Sequence, residues 1–183
     1  MTDKSITFPR IERERRFLLE GLPAPLTRAS EHLQFFDNYL TETRLFLSQI
    51  RVPKTKEWTR RFVQKFPTQI DENTLDLSRL TISEIELNAY EYEVLAVFEG
   101  NELRYNRYFH ETNAQIITID LYIGDLWGLI LATATFETDE AMQKFTIPDF
   151  VYSEVTQDEF FTGANLSNLK FADVQNHLRI VKS

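Results

Sequence analysis

Charged residues recur at every second position in segments that otherwise read as β-strands, and this limits the fold more than any other feature of the chain. Successive side chains leave a strand on opposite faces. In residues 11–19 one face therefore carries Ile11, Arg13, Arg15, Phe17 and Leu19, and the other Glu12, Glu14, Arg16 and Leu18. Arg61, Val63 and Lys65 share a face in residues 58–66, Glu84 and Glu86 in residues 80–87, and Tyr105 and Arg107 in residues 103–110. One such strand reads as a solvated outer face with Arg16 as counter-ion. Several in succession suit a closed barrel with a polar interior, or an open sheet with one wet face, better than strands around a solid apolar core.

Further alternating segments span residues 37–50, 115–123, 129–136 and 150–156. Helices are expected over residues 88–98, with Asn88 as N-cap and Gly100 as stop, over 139–145 with Thr138 as cap, and over 165–173. Many antiparallel strands with few helices predict an α+β fold, and 183 residues suit one domain spanning 1–183. Residues 171–183 read as a peripheral extension.

Residues 1–16 are polar and lack the apolar segment of a signal peptide. The longest apolar stretches, such as residues 126–134, fall short of the roughly 20 residues a membrane helix needs. A cytoplasmic protein without a membrane segment is expected. A net charge of −8 disfavours broad nucleic-acid binding, which relies on many Lys and Arg contacts to phosphate. It leaves room for a small anionic ligand held by a local cluster of cations.

Glu12 and Glu14 project together, and like charges that close call for a cation; a divalent ion takes oxygen ligands from such a pair. His32, His110 and His177 lie in unrelated segments without ligand spacing, and Gly124–Gly128 lacks the Lys-Ser/Thr of a phosphate loop. Trp58 and Trp127 read as core or rim.

Read in order, the motifs IERERRFLL (residues 11–19), NYLTETRL (38–45), RFVQKFP (61–67), NAYEYEVL (88–95), LRYNRY (103–108), IDLYIGDLWGLILATATF (119–136) and EVTQDEFFTG (154–163) resemble the CYTH family, the triphosphate tunnel metalloenzymes. The likeness covers residues 9–167 and leaves 168–183 as an extension. It implies an eight-stranded antiparallel β-barrel with peripheral helices, whose interior binds a small-molecule triphosphate or nucleotide. It also implies Mg²⁺ or Mn²⁺ and a phosphohydrolase, or less commonly cyclase, chemistry. Glu12 and Glu14 match the catalytic acids. Glu12, Glu14, Asp120 and Glu154 would hold metal, and Arg16, Arg44, Arg61, Lys65 and Arg107 would bind phosphate. Glu84 and Glu86 align loosely with a middle acidic pair.

The match is incomplete. Where the family has Ala-Glu-x-Glu-Phe, this chain reads Ala132-Thr133-Ala134-Thr135-Phe136, which should weaken metal affinity, because Mg²⁺ is held mainly by anionic oxygens. Four cation positions of the family are Phe46, Ser48, Tyr105 and Phe160 here. Two functions follow from the resemblance: a metal-dependent triphosphatase, or an inactive relative that binds a nucleotide, another phosphorylated ligand or a protein partner. In the second, Phe46, Tyr105 and Phe160 would make part of the interior aromatic.

Overall fold

The computed structural model describes residues 9–71, 74–112 and 115–181. In chain order the strands are β1 (Arg10–Leu18), β2 (Leu33–Leu40), β3 (Leu45–Arg51), β4 (Trp58–Gln69), β5 (Leu75–Leu87), β6 (Gly100–Thr112), β7 (Gln115–Tyr122), β8 (Ile130–Phe136) and β9 (Ser153–Glu154). The helices are α1 (Ala89–Leu95), α2 (Asp139–Lys144), α3 (Gly163–Leu166) and α4 (Phe171–Val181). Antiparallel pairing runs β5–β4–β3–β2–β6–β7–β8–β1, and β1 then pairs with β5 from Arg10↔Ile82 to Arg13↔Arg79. Eight strands thus close into a barrel, leaving no free barrel edge. The α+β, eight-stranded reading holds.

Several boundaries differ from the sequence reading. Residues 37–50 are not one strand but β2 and β3, joined by a tight turn in which Glu42 adopts φ 58° and Thr43 bonds back to Leu40. No glycine, proline or asparagine marks this turn, so the alternating pattern runs through it uninterrupted. Of residues 150–156 only β9 is strand, added to β1 opposite Phe17 and Leu18. Residues 165–173 do not form one helix; α3 ends at Leu166 and α4 starts at Phe171. Helix α1 carries the expected Asn88 cap, as a capping box with Glu91, and Thr138 caps α2.

The apolar packing explains why charges can face inward. On β1, β7 and β8 the outward side chains Phe17, Ile117, Ile119, Leu121, Ala132 and Ala134 form a buried cluster with Tyr108, covered by Leu22, Leu26, Phe145 and Phe150. A large part of the hydrophobic core therefore lies outside the barrel wall. A second cluster seals one end: Phe35, Leu103, Tyr105, Tyr122 and Leu131 from the strands meet Phe161, Leu166 and Val174. The segment expected to be a peripheral extension is part of this seal, since Val174 of α4 is only 1% exposed and Phe171 and Leu178 pack beside it. A side chain at Gly163 would overlap the Tyr39 hydroxyl, so glycine is what lets the start of α3 close down on β2. Trp58 and Trp127 are about half exposed; Trp58 stands beside Phe36 and Arg51, and Arg28 lies over Trp127. Among the described residues no helix is long and apolar enough to cross a membrane.

Candidate functional site

The barrel encloses a cavity of about 550 Å³, room for one small ligand. Every barrel strand sends alternate residues into it, among them Glu12, Glu14 and Arg16 from β1, Asp37 from β2, Ser48 from β3, Arg61 and Lys65 from β4, Glu84 from β5, Arg107 from β6, Asp120 from β7, and Thr133 and Thr135 from β8. Glu12, Glu14, Arg16, Arg61, Lys65 and Arg107 point inward, as alternation leads one to expect, and Asp120, which only the motif resemblance singles out, joins them. Arg44 reaches the lining from the β2–β3 turn.

Depth sorts these groups. Arg10, Arg61 and Lys65 keep 46%, 40% and 34% of their side chains exposed, and Arg44 is exposed too. They mark the mouth. Glu14, Arg16 and Asp120 are nearly inaccessible and mark the floor.

Ion pairs link the two levels. Lys65 Nζ stands 3.0 Å from Glu14 Oε2 and 3.5 Å from Glu12 Oε1, so one ammonium bridges both carboxylates. Arg16 Nε lies 3.0 Å from Glu14 Oε1, and its NH1 donates to the Phe161 carbonyl at 2.6 Å. Burial pushes the Glu14 carboxyl up, and Lys65, Arg16 and Arg107 together more than offset this, holding it below the ordinary glutamate range. Glu84 is shared between Arg10 at 3.1 Å and Arg61 at 3.5 Å. Arg107 donates from Nε and NH2 to the two Asp120 oxygens, both at 2.7 Å, and lies over the rings of Phe35 and Tyr105. Arg44 stacks on Phe66 at 4.3 Å and has no ion pair among the described residues.

Asp37 is a floor residue that sequence reasoning missed. It is 3% exposed and accepts hydrogen bonds from the Ser48 hydroxyl at 2.5 Å and the Tyr105 hydroxyl at 2.7 Å. Burial pushes its carboxyl up to about 6, against the pull of those two bonds. Two of the replaced cation positions, Ser48 and Tyr105, thus serve one buried acid. The available signal is a lone carboxylate between Phe35 and Tyr39 on one face of β2, hidden because the alternating segment read from sequence starts only at Asp37. Arg10 was also missed; carrying the Glu12–Glu14 alternation one step back finds it.

Three expectations fail on geometry. Glu154 is not in the cavity: β9 adds to the barrel wall with this side chain against Arg15, at 2.9 and 2.6 Å, and Thr156. Phe160 does not line the cavity either; it stacks on His177 of α4 at 3.9 Å, while its neighbour Phe161 faces inward. Glu86 is exposed beyond the end of the lining, so only Glu84 of that pair belongs to the site.

The donor set does not suit Mg²⁺ or Mn²⁺. Of the four residues expected to hold metal, Glu154 lies outside, Asp120 is committed to Arg107, and Glu12 and Glu14 already share an ammonium. Across the β1–β8 ladder, neutral Thr135 stands opposite Glu14 and neutral Thr133 opposite Arg16. Among the described residues no group of three or more His, Cys, Asp or Glu side chains is placed to hold a metal ion.

Among solved structures the chain is similar to the inorganic triphosphatase NE1496, at 22% identity and a TM-score of 0.55, with 85% of this chain and 93% of that one covered. A second crystal structure, of the hypothetical protein NE1496, matches at 21% identity and a TM-score of 0.57, covering 87% and 99%. This likeness is one of fold. No protein-family model matches the chain, and no curated protein does.

Proposed function

We propose that the barrel binds a triphosphate-containing small molecule in its cavity. The observation that carries this reading is the set of inward cations, with Arg10, Arg44, Arg61 and Lys65 at the mouth and Arg16 and Arg107 deeper, all addressing one enclosed space. Guanidinium and ammonium groups converging from several strands can grip phosphate oxygens from different sides, and each charge-assisted bond is worth about 1.5–3 kcal/mol. The ligand enters by exchange: phosphate oxygens take Arg61 and Lys65 from Glu84, Glu12 and Glu14, so affinity is the difference between two sets of ion pairs.

Two uses of such a site are distinct. Hydrolysis is the use favoured by the fold, which is similar to that of a protein named as an inorganic triphosphatase. In this use Glu12 and Glu14 would be the acids that act on the substrate. Retention without hydrolysis is favoured by Thr133 and Thr135, which leave β8 without carboxylates beside Glu14. Phosphate release from inorganic triphosphate, ATP and thiamine triphosphate, measured with Mg²⁺ and with Mn²⁺ beside a Glu12→Gln/Glu14→Gln control, separates them. Turnover abolished in the control establishes hydrolysis, whereas calorimetric binding without turnover establishes retention. Neither binding nor turnover would refute the reading as a whole.

A further inference from the structure

The five carboxylates that the strands direct into the cavity have a common property. Each already faces at least one cation or hydroxyl donor. Both oxygens of Asp120 receive Arg107, both of Asp37 receive hydroxyls, and those of Glu84 face Arg10 and Arg61. Glu14 presents Oε1 to Arg16 and Oε2 to Lys65, and Glu12 presents Oε1 to Lys65 with Arg10 4.0 Å from Oε2. The Lys65 ammonium therefore occupies the position from which a single cation touches both β1 carboxylates.

We propose that Lys65 is a built-in replacement for a divalent cation between Glu12 and Glu14, so that this barrel takes its anionic ligand without Mg²⁺ or Mn²⁺. Three features support the assignment. Lys65 comes from β4, which is separated from β1 by β5, and it reaches across the interior to Glu14, one of the least accessible carboxylates of the cavity. A divalent ion at Glu12 and Glu14 would sit against that ammonium and against Arg16, and like charges at this range repel. On the β8 side, where a third carboxylate would complete a cage, the chain presents Thr133 and Thr135. Binding by direct cation–phosphate contact, rather than through a metal bridge, is the consequence; this second half rests on the triphosphate reading above.

Titration of the ligand-free protein with Mn²⁺, followed by the loss of the free-ion electron paramagnetic resonance signal, tests the first half without any phosphate present. The wild type is expected to show no saturable site below millimolar Mn²⁺. Lys65→Met, which removes the ammonium and keeps the stem, is expected to gain one saturable site, at least tenfold tighter than any wild-type binding. Adding Glu12→Gln and Glu14→Gln to Lys65→Met should abolish it. A saturable wild-type site lost in Glu12→Gln/Glu14→Gln overturns the assignment, and so does a Lys65→Met protein with wild-type circular dichroism that gains nothing. If Lys65→Met fails to fold, the wild-type titration and Lys65→Gln decide in its place.

The second half is read from calorimetry with sodium tripolyphosphate. Affinity in EDTA at least equal to that in Mg²⁺ supports metal-free binding, and binding seen in Mg²⁺ but lost in EDTA overturns it. Absence of binding in both buffers overturns the triphosphate reading alone, and the Mn²⁺ titration still decides the role of Lys65.

Discussion

At Asp37 a carboxylate stands in the interior without an ion pair among the described residues, between two hydroxyl donors and beside the stacked rings of Phe35 and Tyr105, whose centroids are 4.9 Å apart. Its folded value of about 6 exceeds the ordinary 3.8, so the folded protein holds this proton more firmly than the unfolded chain does. Stability from this group is therefore complete below about pH 4 and is lost as pH rises through about 6; the span is about 3 kcal/mol. Asp37→Asn should be more stable than the wild type at pH 7.5, with the advantage shrinking or reversing at pH 4.5, in urea unfolding across that range. An identical pH profile in both proteins would show that Asp37 is not the buried acid described. Asp120 makes the opposite case. Asp120→Ala leaves Arg107 among aromatic rings without its partner, and a broken buried pair costs about 3 kcal/mol, again readable by urea unfolding.

Individual elements settle roles that residue types leave open. Glu154 is fixed by β9, a two-residue strand whose pairing with Phe17 and Leu18 turns the carboxylate towards Arg15 on the outside. A partly exposed pair of this kind stabilises by about 1 kcal/mol. Glu154→Gln should therefore lower stability by no more than that, in urea unfolding, and leave tripolyphosphate affinity unchanged. A large loss of affinity would place Glu154 in the site after all. Helix α4 is a seal and not an appendage, so Val174→Ala should cost about 2 kcal/mol from lost burial and the cavity left behind. Alternation made the inward set on β1 and β4 legible from sequence, because a period of two survives small errors in strand ends. It failed at the β2–β3 turn, which no turn-forming residue announces, and there it hid Asp37. Residue 154 was illegible for another reason: which face a short strand shows depends on where it adds to the sheet, and that is a long-range fact.

Across the whole molecule, apolar residues on the outer side of the wall are covered by the segment after β1 and by the segment that follows α2, while the interior carries its ionisable groups among apolar side chains such as Val63, Leu80, Ile82 and Leu103. The resemblance of the motifs conveyed this closed topology, which charge alternation alone shares with an open sheet. What sequence could not show is the internal balance of charge. The strands bring in Arg10, Arg16, Arg61, Lys65 and Arg107 together with Glu12, Glu14, Asp37, Glu84 and Asp120, so the cavity is a network of exchangeable ion pairs and not a bare positive hole. In the proposed function this network opens to grip a triphosphate. Calorimetric titration with sodium tripolyphosphate, comparing the wild type with Arg61→Gln/Lys65→Gln, reads that opening out. One site per chain is expected, with affinity at least tenfold weaker in the double variant, corresponding to about 1.4 kcal/mol or more. Equal affinity in the two proteins, or no binding to a folded wild type, would contradict it.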